Sequence, residues 1–485
     1  MSVFQKPVRV KRYGKENLRS KDEIYQQSYI MNISNIITSI FTYVDFEDLV
    51  EFNTVCKRWN YLTNPIIHNS IKLQRGINSH NRASSVIKED YGCDYEVQEC
   101  ILHNSKYARF IKKFKLTEKL ELQATIKFFS TFRYITKLTI ERVGMSQDQF
   151  LSMVYPLANL QELNMRYSGV NNNINKGFYE EPVQLPCTLT KLSMEYINII
   201  NNPELFVQTI NSHNSLVEFI YKTYDRSGFL DPFYKNYPSL KVFEYSQQQL
   251  ANLQLLINVF EFNPQLISLS LSLKCWNEFL TSHISNFLTS LQEFNLVDIP
   301  DYTQDRSTIF LKFDQAMIIK KLNLSWDRLS ACSLDSILVN CPLLEELSLI
   351  YCRNYLSDNS NLMLNSFRPT MIKKLEITCG NLSLSTLDSI LLYSPNLTDL
   401  NIQLPIEWKS WTEVIGKRCR NLNQLTISPS YQLFGQERDE FYLDLCEAEF
   451  LKSDSIYKAT IKHLTLNQFS FSNSKSEYFY AQSLL

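Results

Sequence analysis

The sequence has few of the residues that nucleotide-binding and membrane proteins depend on. Its 485 residues include only ten glycines, and none of them belongs to a phosphate-binding loop. No apolar run approaches the ~20 residues that a membrane-spanning helix needs, and residues 1–15 lack the apolar core of a secretory signal. These absences predict a chain without a membrane span and without a nucleotide cofactor.

Cysteine and histidine are too scattered to indicate a reactive site. The 11 cysteines include no CxxC pair, which is typical of reduced thiols in a cytoplasmic or nuclear protein. The six histidines are dispersed, and none forms a metal-ligand spacing or a nucleophile–base pair with a neighbouring residue. We therefore predict no catalytic residue, no metal site, no cofactor and no enzyme activity.

The charge balance narrows the range of partners. Lys and Arg total 49 against 50 acidic residues, which gives a formal net charge of −1. This near-neutrality argues against a nucleic-acid-binding surface and against a polybasic membrane anchor. With 44% hydrophobic and 20% charged residues, the composition is that of a globular chain that buries a core.

The dominant feature of the sequence is an internal repeat of about 26 residues. The pentapeptide LDSIL occurs at 334–338 and again at 387–391, and each copy precedes a proline and then an LxxLxL pattern. The two final apolar residues of LxxLxL lie two apart, so they point to one face of a short strand. Apolar residues at helical spacing follow, and a proline ends each of these two helices. The middle apolar residue of the pattern recurs at Phe114, Leu138, Leu163, Leu192, Phe219, Phe243, Leu269, Phe294, Leu322, Leu347, Leu375, Leu400 and Leu425, with a degenerate copy at Leu464.

One strand and one helix cannot bury both of their apolar faces, but stacked units cover one another and build a solenoid. A repeat near 26 residues lies in the 20–29 range of leucine-rich repeats. From residue 108 onwards the chain resembles this family, particularly its intracellular cysteine-containing kind, as in NCPLLEELSL (340–349). The resemblance implies an α/β horseshoe with a curved parallel sheet over residues 108–470.

The register predicts two surface features of this solenoid. The residue before the middle leucine alternates in charge, and we interpret this row as a solvated ladder that fixes strand order. Aromatic residues follow the last apolar strand position at Tyr167, Tyr196, Trp326 and Tyr351. They are candidates for gripping a protein substrate, although ordinary loop packing accounts for them equally. The positions between the last two apolar residues are mostly small and uncharged, so they offer no cluster of cations for a phosphate-rich ligand.

Residues 29–70 differ in kind from the repeats. Ile36, Ile37, Ile40, Phe41 and Val44 follow one face of a short helix, and Asp45 marks the start of a second. Leu49, Phe52, Cys56 and Trp59 continue at helical spacing, which predicts that Cys56 is buried and has an unreactive thiol. Two or three helices of this size carry more apolar surface than they can hide. The segment is therefore expected to bind a partner.

The stretch IFTYVDFEDLVEFNTVCKRWNYL (40–62) resembles an F-box. Ile40–Phe41, Tyr43–Val44–Asp45, Asp48–Leu49 and Val55–Cys56–Lys57–Arg58–Trp59 stand in the family's places without a gap, whereas Asn32 and Ile33 replace its usual opening Leu-Pro. The resemblance implies that the segment binds a Skp-type adaptor and through it a cullin–RING (SCF-type) ubiquitin ligase, with the repeats holding a protein substrate. The expected adaptor-binding residues are Ile40, Phe41, Val44, Leu49, Phe52, Val55, Cys56 and Trp59.

The whole chain is thus expected to consist of a basic tail (1–28), an F-box (29–70), a linker (71–107) with a helix near 95–102, the solenoid (108–470) and a short tail (471–485). The insertions at 168–182 and 428–458 are further candidates for carrying specificity. The alternative function is a leucine-rich-repeat scaffold or regulatory binding protein that is not attached to a ubiquitin ligase. Either protein would be cytoplasmic or nuclear.

Overall fold

A computed structural model describes most of the chain. The described residues are 33–73, 94–172, 179–223, 233, 236–247, 253–297, 310–325, 330–350, 369–378, 382–405, 408–429, 436–445, 461–466 and 479–480. They form an N-terminal helical unit (33–67) followed by an α/β solenoid.

The helical unit contains three helices. The first, α1, covers 33–41, and α2 (Phe46–Val55) and α3 (Lys57–Ile67) follow after short turns. Helix α2 begins after Asp45, as the sequence predicts, but the Asp45 side chain makes no capping hydrogen bond. The buried apolar core of this unit is small and separate from that of the solenoid.

Nineteen strands and ten further helices make up the described part of the solenoid. The strands are β1 (Ser70–Lys72), β2 (Lys113–Leu116), β3 (Lys137–Glu141), β4 (Gly144–Ser146), β5 (Glu162–Arg166), β6 (Gly169–Asn171), β7 (Lys191–Glu195), β8 (Asn198–Ile200), β9 (Glu218–Thr223), β10 (Val242–Gln247), β11 (Ser268–Ser272), β12 (Glu293–Val297), β13 (Lys321–Ser325), β14 (Glu346–Ile350), β15 (Lys374–Thr378), β16 (Asp399–Leu404), β17 (Gln424–Pro429), β18 (His463–Leu466) and β19 (Phe479–Tyr480). The helices are α4 (Asp94–Asn104), α5 (Leu122–Thr131), α6 (Gln147–Val154), α7 (Glu204–Asn211), α8 (Leu253–Phe262), α9 (Phe279–Phe287), α10 (Ala331–Asn340), α11 (Leu384–Leu392), α12 (Trp408–Arg418) and α13 (Gln436–Leu445). Two short 3₁₀ helices cover Ser105–Phe110 and Leu273–Cys275.

The predicted strand register is confirmed along the main sheet. Sixteen strands lie in chain order and are parallel except for the last pair, and β4, β6 and β8 form a second, three-stranded sheet. Each middle apolar residue of the repeat pairs with its equivalent on the next strand, from Phe114–Leu138 through to Leu425–Leu464. Because these residues and those two positions later point into the core, the repeat pattern alone sets the alignment.

Serine caps and prolines mark the bounds of the two helices that carry the LDSIL repeat, α10 and α11. The Ser330 and Ser383 hydroxyls each accept the backbone N–H three residues later at 3.2 Å and so start α10 and α11. These helices end just before Pro342 and Pro395, as the sequence predicts. Side-by-side helices need about 8–10 Å, whereas strands need about 4.8 Å. The sheet therefore lines the inner, concave side of the solenoid.

The sheet begins earlier than the predicted start of the solenoid. Strand β1 lies within the segment assigned to the helical unit and linker, and it pairs in parallel with β2. The predicted linker helix is present as α4, and its Val97 is fully buried in the solenoid core. Only two residues separate α3 from β1, so the helical unit runs directly into the sheet.

Candidate functional site

The core of the helical unit is built around three aromatic rings. Phe41 is buried together with Leu49 and Leu62. The Trp59 ring packs edge-on against Phe41 and Phe52, at centroid distances of 5.5 and 5.2 Å. Trp59 therefore supports the fold of the unit, as its large apolar ring predicts.

A second set of apolar side chains in the same unit is exposed. Ile36 and Ile40 lie one turn apart on α1 and are 60% and 56% exposed. Phe46 and Val50 lie one turn apart on α2 and are 63% and 43% exposed, and Tyr43, in the turn between the helices, is 91% exposed. Exposed apolar surface of this extent on so small a unit is typical of a protein-binding face.

The expected adaptor-binding residues divide by burial. Phe41 and Leu49 are buried, Val44, Phe52 and Trp59 are half-buried, and Ile40, Val55 and Cys56 are exposed. The five buried and half-buried residues form the core of the unit or pack against it. Sequence reasoning missed Tyr43, Phe46 and Val50 as surface residues. Phe46 and Val50 are i, i+4 neighbours on α2, and this spacing is the signal that could have grouped them as one exposed row.

The prediction that Cys56 is buried is wrong. Cys56 is exposed and has extended backbone angles (φ −159°, ψ 163°), so it separates α2 from α3. Its Sγ accepts the Trp59 backbone N–H at 3.4 Å and caps α3. Residues 49 and 52 lie on α2 and residue 59 lies on α3, so the four apolar positions do not share one helix face. The spacing therefore predicted the burial of Cys56 wrongly.

The concave face carries the predicted row of alternating charges. Lys137 pairs with Glu162 at 2.5 Å, and Lys191 pairs with Glu218 at 2.6 Å. Further along, Glu346 lies between Lys321 and Lys374, at 3.7 and 3.2 Å. These side chains are partly exposed, so each pair stabilises the strand order by ~0–1 kcal/mol.

Small polar side chains in the middle of the concave strands bond to one another. Ser348 donates to Glu376 at 2.9 Å, and Asn401 donates to the other oxygen of the same carboxylate at 3.0 Å. Asn323 donates to Asn295 in the same row. This part of the face offers hydrogen bonds and shape, but little net charge for a ligand.

One predicted aromatic pair is assembled at the edge where the concave strands end. The Tyr167 and Tyr196 rings stack with centroids 5.1 Å apart and planes 17° apart. The Arg142 guanidinium carbon lies 6.0 Å from the Tyr167 ring, so an Arg–Tyr–Tyr stack runs across three successive repeats. We call this stack the aromatic lip.

All three residues of the lip have left-handed backbone angles, with φ of 59°, 50° and 55° for Arg142, Tyr167 and Tyr196. Each of their backbone N–H groups donates to a carbonyl near the end of the next long strand, and the acceptors are Arg166, Glu195 and Lys222. A Cβ makes this conformation costly by roughly 1–2 kcal/mol per residue. Three large side chains thus lie at a corner where only glycine would be free of backbone strain. Half of the Tyr167 side chain is exposed.

The other predicted aromatic pair, Trp326 and Tyr351, lies outside the described residues, as does the 173–178 part of the insertion. Of the second insertion, α13 is described and contributes Leu445 to the core.

The described ranges contain neither a candidate metal cluster nor a candidate membrane span. No set of three or more His, Cys, Asp or Glu side chains is placed to hold a metal ion there. None of the helices described is both long and apolar enough to cross a membrane. Burial raises the pKa of each of the Cys275, Cys341 and Cys419 thiols to about 12, so these thiols are poor nucleophiles at neutral pH.

Comparison with known proteins gives distant structural likeness only. No protein-family model and no curated protein matches the chain. Among solved structures, a complex of Rad7 and Elc1 from yeast is 13% identical, with a TM-score of 0.36 over 87% of this chain and 97% of that chain. The leucine-rich-repeat-containing protein LegL7 from Legionella pneumophila is 11% identical, with a TM-score of 0.32 over 78% of this chain and 98% of that chain. A TLR13–ssRNA13 complex is 13% identical, with a TM-score of 0.32 over 70% of this chain and 54% of that chain. At these values the likeness carries no argument about a partner or an activity, and the leucine-rich-repeat architecture is established by the register of the strands themselves.

Proposed function

We propose that the chain is a substrate-receptor subunit of an SCF-type ubiquitin ligase, in which the helical unit binds a Skp-type adaptor and the solenoid holds a protein substrate. The observation that carries this proposal is the exposed apolar face of the helical unit. The buried core of the unit is small, yet four of its apolar side chains are exposed, and these are Ile36, Ile40, Phe46 and Val50. The sequence of the unit resembles an F-box, whose function is to present such a face to an adaptor.

The structure separates the exposed apolar residues of the unit from its core residues, and this allows a sharper test of the proposal. Replacing Leu49 or Phe52 would disturb the core of the unit, whereas Phe46 and Val50 are exposed. We expect the double variant Phe46→Ser, Val50→Ser to lose co-purification with a Skp-type adaptor, since apolar anchors dominate such interfaces. A matched control, Val339→Ser with Leu392→Ser, removes two similarly exposed residues from the solenoid.

Circular dichroism and thermal unfolding should be the same for both variants and the parent chain. Retention of the adaptor by the Phe46, Val50 variant would overturn the proposal. The scaffold alternative would then stand, because it requires no adaptor.

For the substrate, we propose that the aromatic lip is the gripping surface. Tyr167 and Tyr196 form a rigid, partly exposed stack, and the strained backbone below it costs free energy that a purely structural corner would avoid. Tyr167→Ala with Tyr196→Ala should weaken substrate capture at least tenfold, or about 1.4 kcal/mol, without altering adaptor binding. If substrate capture survives this change and is lost on deletion of 168–182, the insertion rather than the aromatic lip recognises the substrate. Trp326 and Tyr351 are proposed to act in the same way.

We also propose that the chain catalyses no covalent step itself. Its role would be to raise the local concentration of the substrate near the enzyme that transfers ubiquitin. The support is the absence of a nucleophile–base grouping in the sequence and the burial of Cys275, Cys341 and Cys419. A ubiquitin thioester trapped on any cysteine of this chain would contradict the proposal. In this role the protein would work in the cytoplasm or the nucleus.

A further inference from the structure

The alternating charge row on the concave face has one break. Lys113 and Lys137 occupy the same row position on β2 and β3 and are register partners, so two like charges lie side by side. At every other described place in the row, charged neighbours have opposite signs. Adjacent like charges destabilise a sheet, and such a local violation is expected where a surface has a function.

The break lies within a strongly basic region. Residues 106–142 contain ten basic and three acidic residues, a net charge of +7 in a chain whose total is −1. Lys115 and Lys137 are neutralised by Glu141 and Glu162. The other eight cations make no ion pair with any carboxylate in the described part of the chain. Five of them lie close to the junction of the helical unit and the sheet: Lys106, Arg109, Lys112, Lys113 and Arg133. We call these five residues the junction basic patch.

Aromatic rings hold four of these cations in place. The Lys112 Nζ and the Arg133 guanidinium carbon lie 5.4 and 5.3 Å from the centre of the same Tyr134 ring. Lys106 lies 4.8 Å above Tyr107, and Arg109 lies 4.5 Å above Phe110. These contacts pre-order long side chains and so reduce the entropy lost when they bind an anion.

The members of the patch meet where the helical unit joins the sheet. The Asn69 carbonyl accepts the backbone N–H groups of Lys112 and Lys113 at 2.8 and 3.0 Å. The neighbouring His68 ring stacks on Tyr107 at 3.6 Å, which brings the 3₁₀ helix to the same corner. Lys106 and Arg109 are three residues apart on that helix, so their side chains lie on one side of it.

We propose that the junction basic patch is a docking site for an acidic segment of a protein partner. Lys112 and Lys113 lie at the start of β2, and Arg133 lies in the turn before β3, so these three cations stand at the ends of two neighbouring strands ~4.8 Å apart. An extended chain covers that distance in about two residues. The fitting ligand is therefore a short run of Asp and Glu side chains, which would meet the Arg and Lys groups in charge-assisted hydrogen bonds.

The surroundings favour a protein segment over a nucleic acid. Single-stranded nucleic acid stacks its bases on free aromatic faces. The Tyr107 ring already contacts the His68 ring and the Lys106 ammonium, and the Tyr134 ring already contacts two cations. A longer polyanion would also run onto the acidic members of the neighbouring charge row, including Glu162. A short acidic segment fits inside the patch and avoids both obstacles.

The test uses the full chain and a fluorescein-labelled peptide of eight alternating Asp and Glu residues. Fluorescence anisotropy at 50 mM and 200 mM NaCl should show binding that weakens with salt, because the Debye length shortens. The variant Lys112→Ala, Lys113→Ala, Arg133→Ala should lose affinity at least tenfold. The matched control replaces with Ala three exposed lysines elsewhere on the solenoid, which are Lys312, Lys320 and Lys409.

A second measurement locates the peptide. Zero-length carbodiimide cross-linking joins carboxylates to nearby lysines, and mass spectrometry should find the cross-links at Lys106, Lys112 and Lys113. The proposal is overturned if the control variant loses affinity as much as the patch variant, or if the cross-links fall on lysines outside the patch. It is also overturned if an eight-nucleotide single-stranded RNA binds the patch more tightly than the acidic peptide. The outcome does not depend on adaptor binding, so it tests the patch separately from the proposed ligase role.

Discussion

Removing the Trp59 ring should unfold the helical unit and leave the solenoid intact. The unit covers 33–67, which is 35 residues, and natural domains are stable by roughly 0.05–0.15 kcal/mol per residue. Its own stability is therefore about 2–5 kcal/mol. Trp59 makes two edge-on ring contacts, with Phe41 and Phe52. Aromatic pairs of this kind contribute ~0.5–1.5 kcal/mol each beyond the area they bury.

Phe or Trp to Ala changes in a core cost ~3–5 kcal/mol, and we use ~3 kcal/mol because Trp59 is only half-buried. A loss of ~3 kcal/mol lowers amide protection by about a hundredfold. Hydrogen exchange with mass spectrometry should thus show faster exchange across 33–67 in Trp59→Ala. The strands from β2 onwards should keep their protection, because the two apolar cores are separate.

Tyr61→Ala is the matched control, since Tyr61 lies on the same helix but is 68% exposed. It should leave exchange in the unit unchanged. Equal acceleration in the solenoid strands, or full protection of the unit in Trp59→Ala, would refute the assignment of Trp59 to an independent core.

Three further outcomes are expected. Iodoacetamide at pH 8 should modify the exposed Cys56 and Cys187 in the native protein but spare Cys275, Cys341 and Cys419, whose buried thiols have a pKa of about 12; labelling of the buried set without unfolding would contradict this. Arg418 forms a two-pronged bridge to Asp388, at 2.6 and 2.8 Å, and its hydrogen bond lowers the Asp388 pKa below 3.8. Since a lowered folded pKa stabilises the fold only while the carboxylate is charged, Arg418→Ala should cost ~1 kcal/mol or less in urea unfolding at pH 7, and this difference should shrink as the pH falls below 3.8. At the left-handed Tyr167, the Gly variant should be more stable than the Ala variant by ~0.5–1 kcal/mol in the same assay, because only Ala keeps a strained Cβ; the opposite order would remove the argument for strain.

The repeat made the solenoid predictable from the sequence, because one pattern recurs thirteen times and each copy constrains the same strand position. Strand β1 escaped prediction because Ser70–Lys72 is three residues long and carries no LxxLxL pattern. Its partner β2 supplies the missing information, since a parallel edge at Phe114 can accept another strand at Ile71. Short terminal strands of this kind are set by tertiary pairing rather than by local sequence.

The helical unit shows a different limit. The apolar spacing continues in phase through Cys56, so it does not reveal that the chain breaks there into two helices. Periodicity also cannot tell which of two apolar rows faces the core, and in α1 the buried Phe41 and the exposed Ile40 are adjacent. The sequence therefore predicted correctly that this segment exposes apolar surface, but it assigned some of the core residues of the unit to the expected binding face.

The lip was partly predictable for a related reason. Residues at one repeat position lie side by side in successive repeats, so the sequence register alone predicts the contact between Tyr167 and Tyr196. Arg142 occupies the same position one repeat earlier, but its side chain is not aromatic and a search for aromatic residues passes over it. Including planar guanidinium groups in such a search identifies the full three-residue stack, because Arg binds to ring faces as well as to carboxylates.

The junction gives these separate surfaces a defined arrangement. Residues His68 and Asn69 alone connect α3 to β1, and the Asn69 carbonyl is hydrogen-bonded to two residues at the start of β2. His68 is further held against Tyr107 by ring stacking. A connection this short and this well bonded transmits the orientation of α3 to the sheet. In the proposed complex, this junction would set how the adaptor-binding face, the junction basic patch and the aromatic lip are arranged, and so the direction from which a substrate held at the lip reaches the transferring enzyme.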